Sequence, residues 1–90
     1  MPYINQDDRY ILDLDLEHVL PNDAGELNYC ITSLLAGYIE RKGMRYQYMN
    51  DVVGALEGAK AEFQRMVVNP YEDKKIVENG GVYDKEANND

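Results

Sequence analysis

The stretch "GELNYCITSLLAGYIERKG" (Gly25–Gly43) repeats apolar residues at intervals of three and four. This spacing is typical of one face of an α-helix, and the face consists of Leu27, Ile31, Leu34, Leu35, Tyr38 and Ile39. Asp23 and Glu26 have the spacing of a capping box before it, and Gly43 follows it as a helix-ending glycine. The stretch therefore predicts a helix over about 26–42.

A second segment, residues 45–68, has the same periodicity. Its apolar face consists of Met49, Val52, Val53, Leu56, Ala59, Phe63, Met66 and Val67. The helix begins near Arg45 or, with Asn50 as its cap, a turn later. Pro70 ends it, because the residue before a proline avoids helical dihedral angles. The short link around Gly43 predicts that the two helices form an antiparallel hairpin.

The N-terminal segment "YILDLDLEHVLP" fits two structures. Its alternation of apolar and acidic residues fits a half-buried strand over residues 10–20, which would pair across an oligomer interface. It also fits a helix capped by Asn5 and stopped by Pro21, with Ile11, Leu14, His18 and Val19 facing inward. We favour the helix, because no second strand pattern occurs elsewhere in the chain.

The segment "NPYEDKKIVENGGVY", residues 69–83, predicts a short C-terminal helix over about 70–79. Asn69 is its expected N-cap, Glu72 completes a capping box, and Gly80 supplies the stop. The predicted fold is therefore all-α: one helical domain over 1–83, built on the hairpin and completed by self-association. The polar tail, 84–90, is expected to fray.

Charge and composition narrow the function further. The net charge is −8; residues 1–26 carry seven acids and one base, whereas residues 27–68 are nearly neutral. Nucleic-acid binding needs basic surface, so we expect none. An acidic surface that binds a basic partner, as a DNA mimic does, is a less favoured alternative. No apolar run is long enough for a membrane span or a signal region, and we expect a cytoplasmic protein.

The sequence contains no complete catalytic or metal-binding pattern. Asp13, Asp15 and Glu17 alternate like calcium ligands, but the glycine and the glutamate that complete such a loop are missing. The single histidine, His18, and the single cysteine, Cys30, are interpreted as packing residues. The acidic residues form no facing pairs of the kind that hold magnesium in small helical nucleotide pyrophosphohydrolases. We predict no catalytic residue, metal or cofactor, and favour a non-enzymatic protein.

Several residues are better explained by an interface. Eight tyrosines against one phenylalanine suit semi-buried contact surfaces, because tyrosine combines apolar area with a polar tip. Gly54 and Gly58 stand four apart inside a helix, where each glycine costs about 1 kcal/mol relative to alanine. The interface candidates are Tyr29, Tyr38, Gly54, Gly58, Ala61, Tyr71, Ile76, Val77 and Tyr83. We expect a homo-oligomer, with a dimer as the first choice.

Three segments, "MPYI", "LNYCITSLL" and "GALEGAKAEFQRMVVNPYEDKKIVENGGVY", resemble in order and spacing a family of short prokaryotic and phage proteins of unknown function. The resemblance covers residues 1–4 and about 25–83. The family's final motif reads Asn-Gly-Asp-Val-Tyr, where this chain has Gly81 for the aspartate; its paired arginines correspond to Arg65 and Met66 here. The resemblance implies a compact helical protein of microbial or phage origin, without an assigned activity, cofactor or catalytic residue.

Two functional hypotheses follow. The first is a small oligomeric interaction or regulatory protein that acts on a host or cellular partner. The alternative is a nucleotide-binding or nucleotide-processing protein with a site at a subunit interface. The candidate residues for that ligand site are Arg65, Tyr71, Glu72 and Lys75.

Overall fold

A computed structural model describes residues 4–83, and every regular element in that range is helical. The elements are α1 (Gln6–Leu16), α2 (Ala24–Lys42), α3 (Tyr46–Phe63), a π-helical turn (Gln64–Val68) and α4 (Asn69–Asn79). The predicted all-α class is confirmed. The chain divides into two units, Met1–Gly54 and Ala55–Asp90. The single domain over 1–83 stays a prediction, and the predicted fraying of 84–90 lies outside the described residues.

The first segment is a helix, so the intersubunit strand is not formed. The Asn5 side chain accepts a hydrogen bond from the Asp8 N–H at 2.9 Å, as the predicted cap requires. α1 ends at Leu16, earlier than predicted, because the chain turns there and the Val19 N–H bonds to the Leu16 carbonyl at 2.9 Å. His18 consequently lies outside the helix, and its predicted inward packing is wrong.

α2 has the ends that its sequence predicts. The Glu26 N–H donates to Asp23 Oδ1 at 2.8 Å, and Glu26 Oε1 in return accepts from the Asn22 N–H at 3.0 Å. Two otherwise unpaired backbone donors are thereby satisfied, as in a capping box. At the other end Gly43 has a φ of 116°, which favours glycine, and its N–H bonds to the Ile39 carbonyl at 2.7 Å.

The connection between α2 and α3 is three residues long. The Arg45 carbonyl accepts from the N–H groups of Tyr48 and Met49, so the second helix begins near Arg45 and not at Asn50. In the first unit, the Tyr38 hydroxyl donates to Asp51 Oδ2 at 3.1 Å and links α2 to the first turns of α3.

Pro70 does not end the second helix. Asn69 has helical φ and ψ of −63° and −46°, and its N–H bonds to the Gln64 carbonyl, five residues back. Proline lacks an N–H, and its ring crowds the carbonyl four residues back; a π turn before it inserts one extra residue and relieves that clash. The predicted break is therefore wrong. So are Asn69 as N-cap and the capping box with Glu72, because no side chain caps the start of α4.

The end of α4 agrees with the sequence. Gly80 has a φ of 81°, and its N–H bonds to the Ile76 carbonyl at 2.8 Å. Positive φ is disfavoured for residues with a Cβ, so glycine is the natural residue there. The helix thus stops where the sequence predicts, although it starts without a cap.

No side chain among residues 4–83 is fully buried. On α2, Leu27 is 51% exposed and Leu34 is 59% exposed, although both belong to the predicted apolar face. Leu35, Tyr38 and Ile39 are half-buried. In the described part of the chain, the apolar face of α2 is therefore partly exposed to solvent, whereas a packed helical bundle would bury it.

Candidate interaction surface

One side of α2 forms an apolar groove with the residues that follow it. The groove is lined by Thr32, Leu35, Ala36, Ile39, Glu40, Gly43, Met44 and Val52. Met44 and Val52 come from the connection and from α3, so this side of α2 borders the first turns of the next helix. Most of the lining is aliphatic, and Glu40 is its one charged side chain.

Another side of α2 borders the connection from α1. Val19 stands beside Tyr29, Cys30, Ser33 and Leu34 in a second apolar hollow. A helix advances about 100° per residue, so this side and the Leu35/Ile39 side point in different directions. A helix that is apolar on several sides normally lies inside a protein. α2 therefore has the composition of a central helix, although residues 4–83 leave much of its apolar surface exposed.

The polar contacts of this surface concentrate on Tyr38. Its ring lies 6.0 Å from Lys42 Nζ, and its hydroxyl bonds to Asp51. Partial desolvation, the hydrogen bond to Asp51 and the negative charge of that carboxylate raise the pKa of Tyr38 from its ordinary value of 10.0. The hydroxyl is thus held in its neutral, donating form.

The second unit carries most of the predicted ligand site. Lys75 Nζ lies 5.6 Å from the centre of the Tyr71 ring and 3.2 Å from Glu78 Oε2. Glu78 therefore pairs with Lys75 on the neighbouring turn. Glu72 and Lys75 line a shallow hollow on α4 together with Ile76, Asn79 and Gly80. Arg65 lies in the π-helical turn and does not line this hollow.

The remaining interface candidates are mostly exposed. Within the described range, a Cβ added at Gly54 would meet no atom closer than 4 Å, so none of residues 4–83 packs closely against it. Gly58 is half-buried, and Ala61 is exposed. Tyr29, Tyr71, Ile76, Val77 and Tyr83 are exposed as well. Their role in an interface stays a prediction.

The residues considered for chemistry are separated. Between residues 4 and 83, no three histidine, cysteine, aspartate or glutamate side chains are grouped to hold a metal ion. His18 is exposed, with its Nε2 3.4 Å from Glu17 Oε1. Cys30 is half-buried on α2, so it is less enclosed than its interpretation as a packing residue implies. Neither residue has a partner arrangement typical of a nucleophile.

Comparison with known protein families identifies the family of this chain. A family model described as "Domain of unknown function (DUF6899)" matches residues 1–82. The chain belongs to the DUF6899 family. No curated protein and no solved structure matches its sequence. No helix in the described part of this DUF6899 chain is long and apolar enough to cross a membrane.

The sequence did not predict two parts of the α2 surface of this DUF6899 protein. The first is the contribution of Met44, which stands in a connection, and of Val19, which the sequence assigned to the first helix and which lies beyond its end at Leu16. The second is the Tyr38–Asp51 hydrogen bond, whose partners are thirteen residues apart. The contacts described between α2 and α3, such as Tyr38 with Asp51, lie near their connection. The antiparallel hairpin therefore stays a prediction, and periodicity alone does not give its register.

Proposed function

We propose that this protein is a small non-enzymatic interaction or regulatory protein that acts as a homo-oligomer, most simply a dimer. The observation that carries this proposal is the exposed apolar surface of α2. Leu27 and Leu34 are more than half exposed in a helix whose middle is apolar on several sides. Burying such a side chain contributes about 1.5–3 kcal/mol relative to leaving it in water. A second subunit supplies the missing cover.

The direct test is the molar mass in solution, measured by light scattering coupled to size exclusion. We expect a stable oligomer whose thermal unfolding midpoint rises with protein concentration, because dilution favours the dissociated state. A cooperative, folded monomer whose midpoint is independent of concentration up to high micromolar levels would refute the proposal.

The partner and the setting are part of the same proposal. We infer a cytoplasmic protein of microbial or phage origin that binds a host or cellular protein, on the strength of the sequence resemblance. Capture from host lysate by the wild-type protein, compared with a variant that carries Leu34→Asp, tests this. A partner retained equally by both proteins does not use the α2 surface.

The alternative function, nucleotide binding or processing, depends on the hollow of α4. Glu72 and Lys75 line this hollow, and the Tyr71 ring lies beside Lys75. An aromatic ring beside a lysine suits a base and a phosphate. Thermal-shift measurements against nucleotides with and without Mg²⁺ test it. A shift that Lys75→Ala abolishes, followed by turnover, would favour the alternative over the interaction protein.

A further inference from the structure

The distribution of charge on α2 is ordered along the helix. The thirteen residues from Leu27 to Ile39 include no charged side chain. Asp23 and Glu26 stand at the N-terminal end, whereas Glu40, Arg41 and Lys42 stand at the C-terminal end and sum to one positive charge. α2 therefore has an acidic N-terminal end, an apolar middle and a weakly basic C-terminal end.

One side of α2 has the spacing of a helix–helix seam. Leu27, Ile31, Leu34 and Tyr38 follow one another at intervals of four, three and four. This is the repeat with which two helices pack along a shared line. The seam points between the side that borders Val52 and the side that borders Val19. Ile31 is 39% exposed, and Leu27 and Leu34 are more exposed still.

We propose that the occupant of this seam is α2 of a second copy of the chain, packed antiparallel across a twofold axis near residues 32–33. This proposal rests on the oligomeric function proposed above and names its interface. In this register Leu27 of one copy lies opposite Tyr38 of the other, and Ile31 lies opposite Leu34. The contact is isologous, as a closed dimer requires.

Charge complementarity favours antiparallel over parallel packing of the two α2 helices. Antiparallel packing places the acidic N-terminal end of each α2 beside the weakly basic C-terminal end of the other, and it also opposes the helix dipoles. The Arg41 guanidinium already lies back along the helix, since a Cβ added at Gly37 would be 3.2 Å from its Nη1. In this register Gly37 is level with Asn28 of the second copy, and Glu26 of that copy stands two residues, about 3 Å, further along its helix. Parallel packing would bring like charges together at both ends.

The net charge of the whole chain also favours a contact through the middle of α2. Two chains of −8 repel one another, and the repulsion is weakest where the contact is locally neutral. The segment 27–68 carries four acids and five bases, whereas residues 1–26 and 69–90 are acidic. A contact through the middle of α2 keeps both acidic segments away from the axis.

Paired spin labels test the orientation in the full-length protein. In a Cys30→Ala background, Ser33→Cys or Ala24→Cys carries the label, and electron–electron resonance gives the distance between copies. At about 1.5 Å rise per residue, antiparallel packing separates the two Ala24 positions by about 25 Å along the helix and the two Ser33 positions by almost nothing. We expect the Ala24 distance to exceed the Ser33 distance by more than about 10 Å.

Charge exchange provides an independent readout. Glu26→Lys and Arg41→Glu should each raise the dissociation constant of the dimer, by about threefold or more, and the double variant should recover much of the loss. Within one chain the two residues are about 22 Å apart along α2, so coupling between them arises across copies.

The outcomes separate this inference from the function on which it rests. An oligomer with equal Ala24 and Ser33 distances, or with additive losses in the double variant, overturns the antiparallel seam and leaves the oligomeric function standing. A monomer that acquires mass only with a host protein overturns both the seam and the self-association.

Discussion

The Tyr38 hydroxyl donates a hydrogen bond of 3.1 Å to the Asp51 carboxylate, joining α2 to the first turns of α3. This is a contact between side chains of two helices within the first unit. It places a polar hydroxyl at the end of the apolar seam. Desolvation raises the pKa of Tyr38, and the hydrogen bond to Asp51 and the negative charge of that carboxylate raise it further.

The first prediction concerns alkaline titration. The folded-state pKa of Tyr38 is above its unfolded value of 10.0, so the stability that it contributes is present below pH 10 and is lost as the pH rises through the folded pKa. Asp51→Asn should lower the pKa of Tyr38 toward 10.0. The measurement is the NMR titration of the Tyr38 ring carbons, assigned by comparison with Tyr38→Phe. An unchanged pKa in Asp51→Asn would contradict the pairing.

The second prediction concerns the proline inside the helix. Pro70→Ala restores a backbone donor and removes the ring, so the π-helical turn should shorten to regular α-helix and the free energy of unfolding should rise by about 1–3 kcal/mol. Pro21→Ala is the matched control, because Pro21 lies between helices. It should be neutral or slightly destabilising through the unfolded state. Urea unfolding followed by circular dichroism distinguishes them, and equal effects would contradict the role assigned to the π turn.

The third prediction compares two residues that both look like helix caps in the sequence. Asp23→Ala should cost about 1 kcal/mol, because its carboxylate accepts from the Glu26 N–H. Asn69→Ala should be neutral or stabilising by a few tenths of a kcal/mol, because Asn69 has helical dihedral angles and alanine is the better helix former. Thermal unfolding of both variants measures this. A loss of similar size at Asn69 would restore the sequence-based cap.

These cases show which parts of the fold are local. The caps at Asn5 and Asp23 and the stop at Gly80 were predictable, because each depends on a side chain or a glycine within four residues of the bond that it satisfies. The break before Pro70 was predicted wrongly, because the rule that was used considers only the residue before a proline. A π turn instead depends on the stability of the helix on both sides of the proline.

The sequence predicted contacts between candidate residues within one helix, but not contacts between helices. Tyr71 and Lys75 could be paired from helical spacing, and the structure brings them together. Tyr38 and Asp51 could not, because the register between two helices depends on their connection. Met44 follows no helical period, and Val19 was assigned to the first helix although it lies beyond Leu16. The position of both residues beside α2 depends on the path of the connections, which periodicity does not give.

The fourth prediction concerns two glycines with opposite requirements. Gly54→Ala should stabilise the protein by about 0.5–1 kcal/mol, because Gly54 stands inside a helix with free space around it. Gly80→Ala should destabilise it by about 1 kcal/mol, because φ is 81° there. Both are measured by urea unfolding at one protein concentration. Destabilisation by Gly54→Ala would indicate that a second copy packs against Gly54, as the sequence predicts.

The fifth prediction decides between two exposed surfaces. Leu34 and Val77 are 59% and 85% exposed. The sequence assigns Leu34 to the apolar face of α2 and Val77 to the interface candidates on α4. Replacing an exposed apolar side chain in a monomer usually changes stability by less than about 0.5 kcal/mol. If α2 is the interface, Leu34→Asn places a polar amide near the twofold axis in both copies, and the cost appears twice in each dimer.

We therefore expect Leu34→Asn to raise the dimer dissociation constant by tenfold or more, equivalent to at least about 1.4 kcal/mol, and Val77→Asn to leave it nearly unchanged. Sedimentation equilibrium over a range of protein concentrations measures both variants. The opposite order would move the interface from α2 to α4 and favour the C-terminal helix as the contact surface, because the more exposed valine would then be the side chain that association buries.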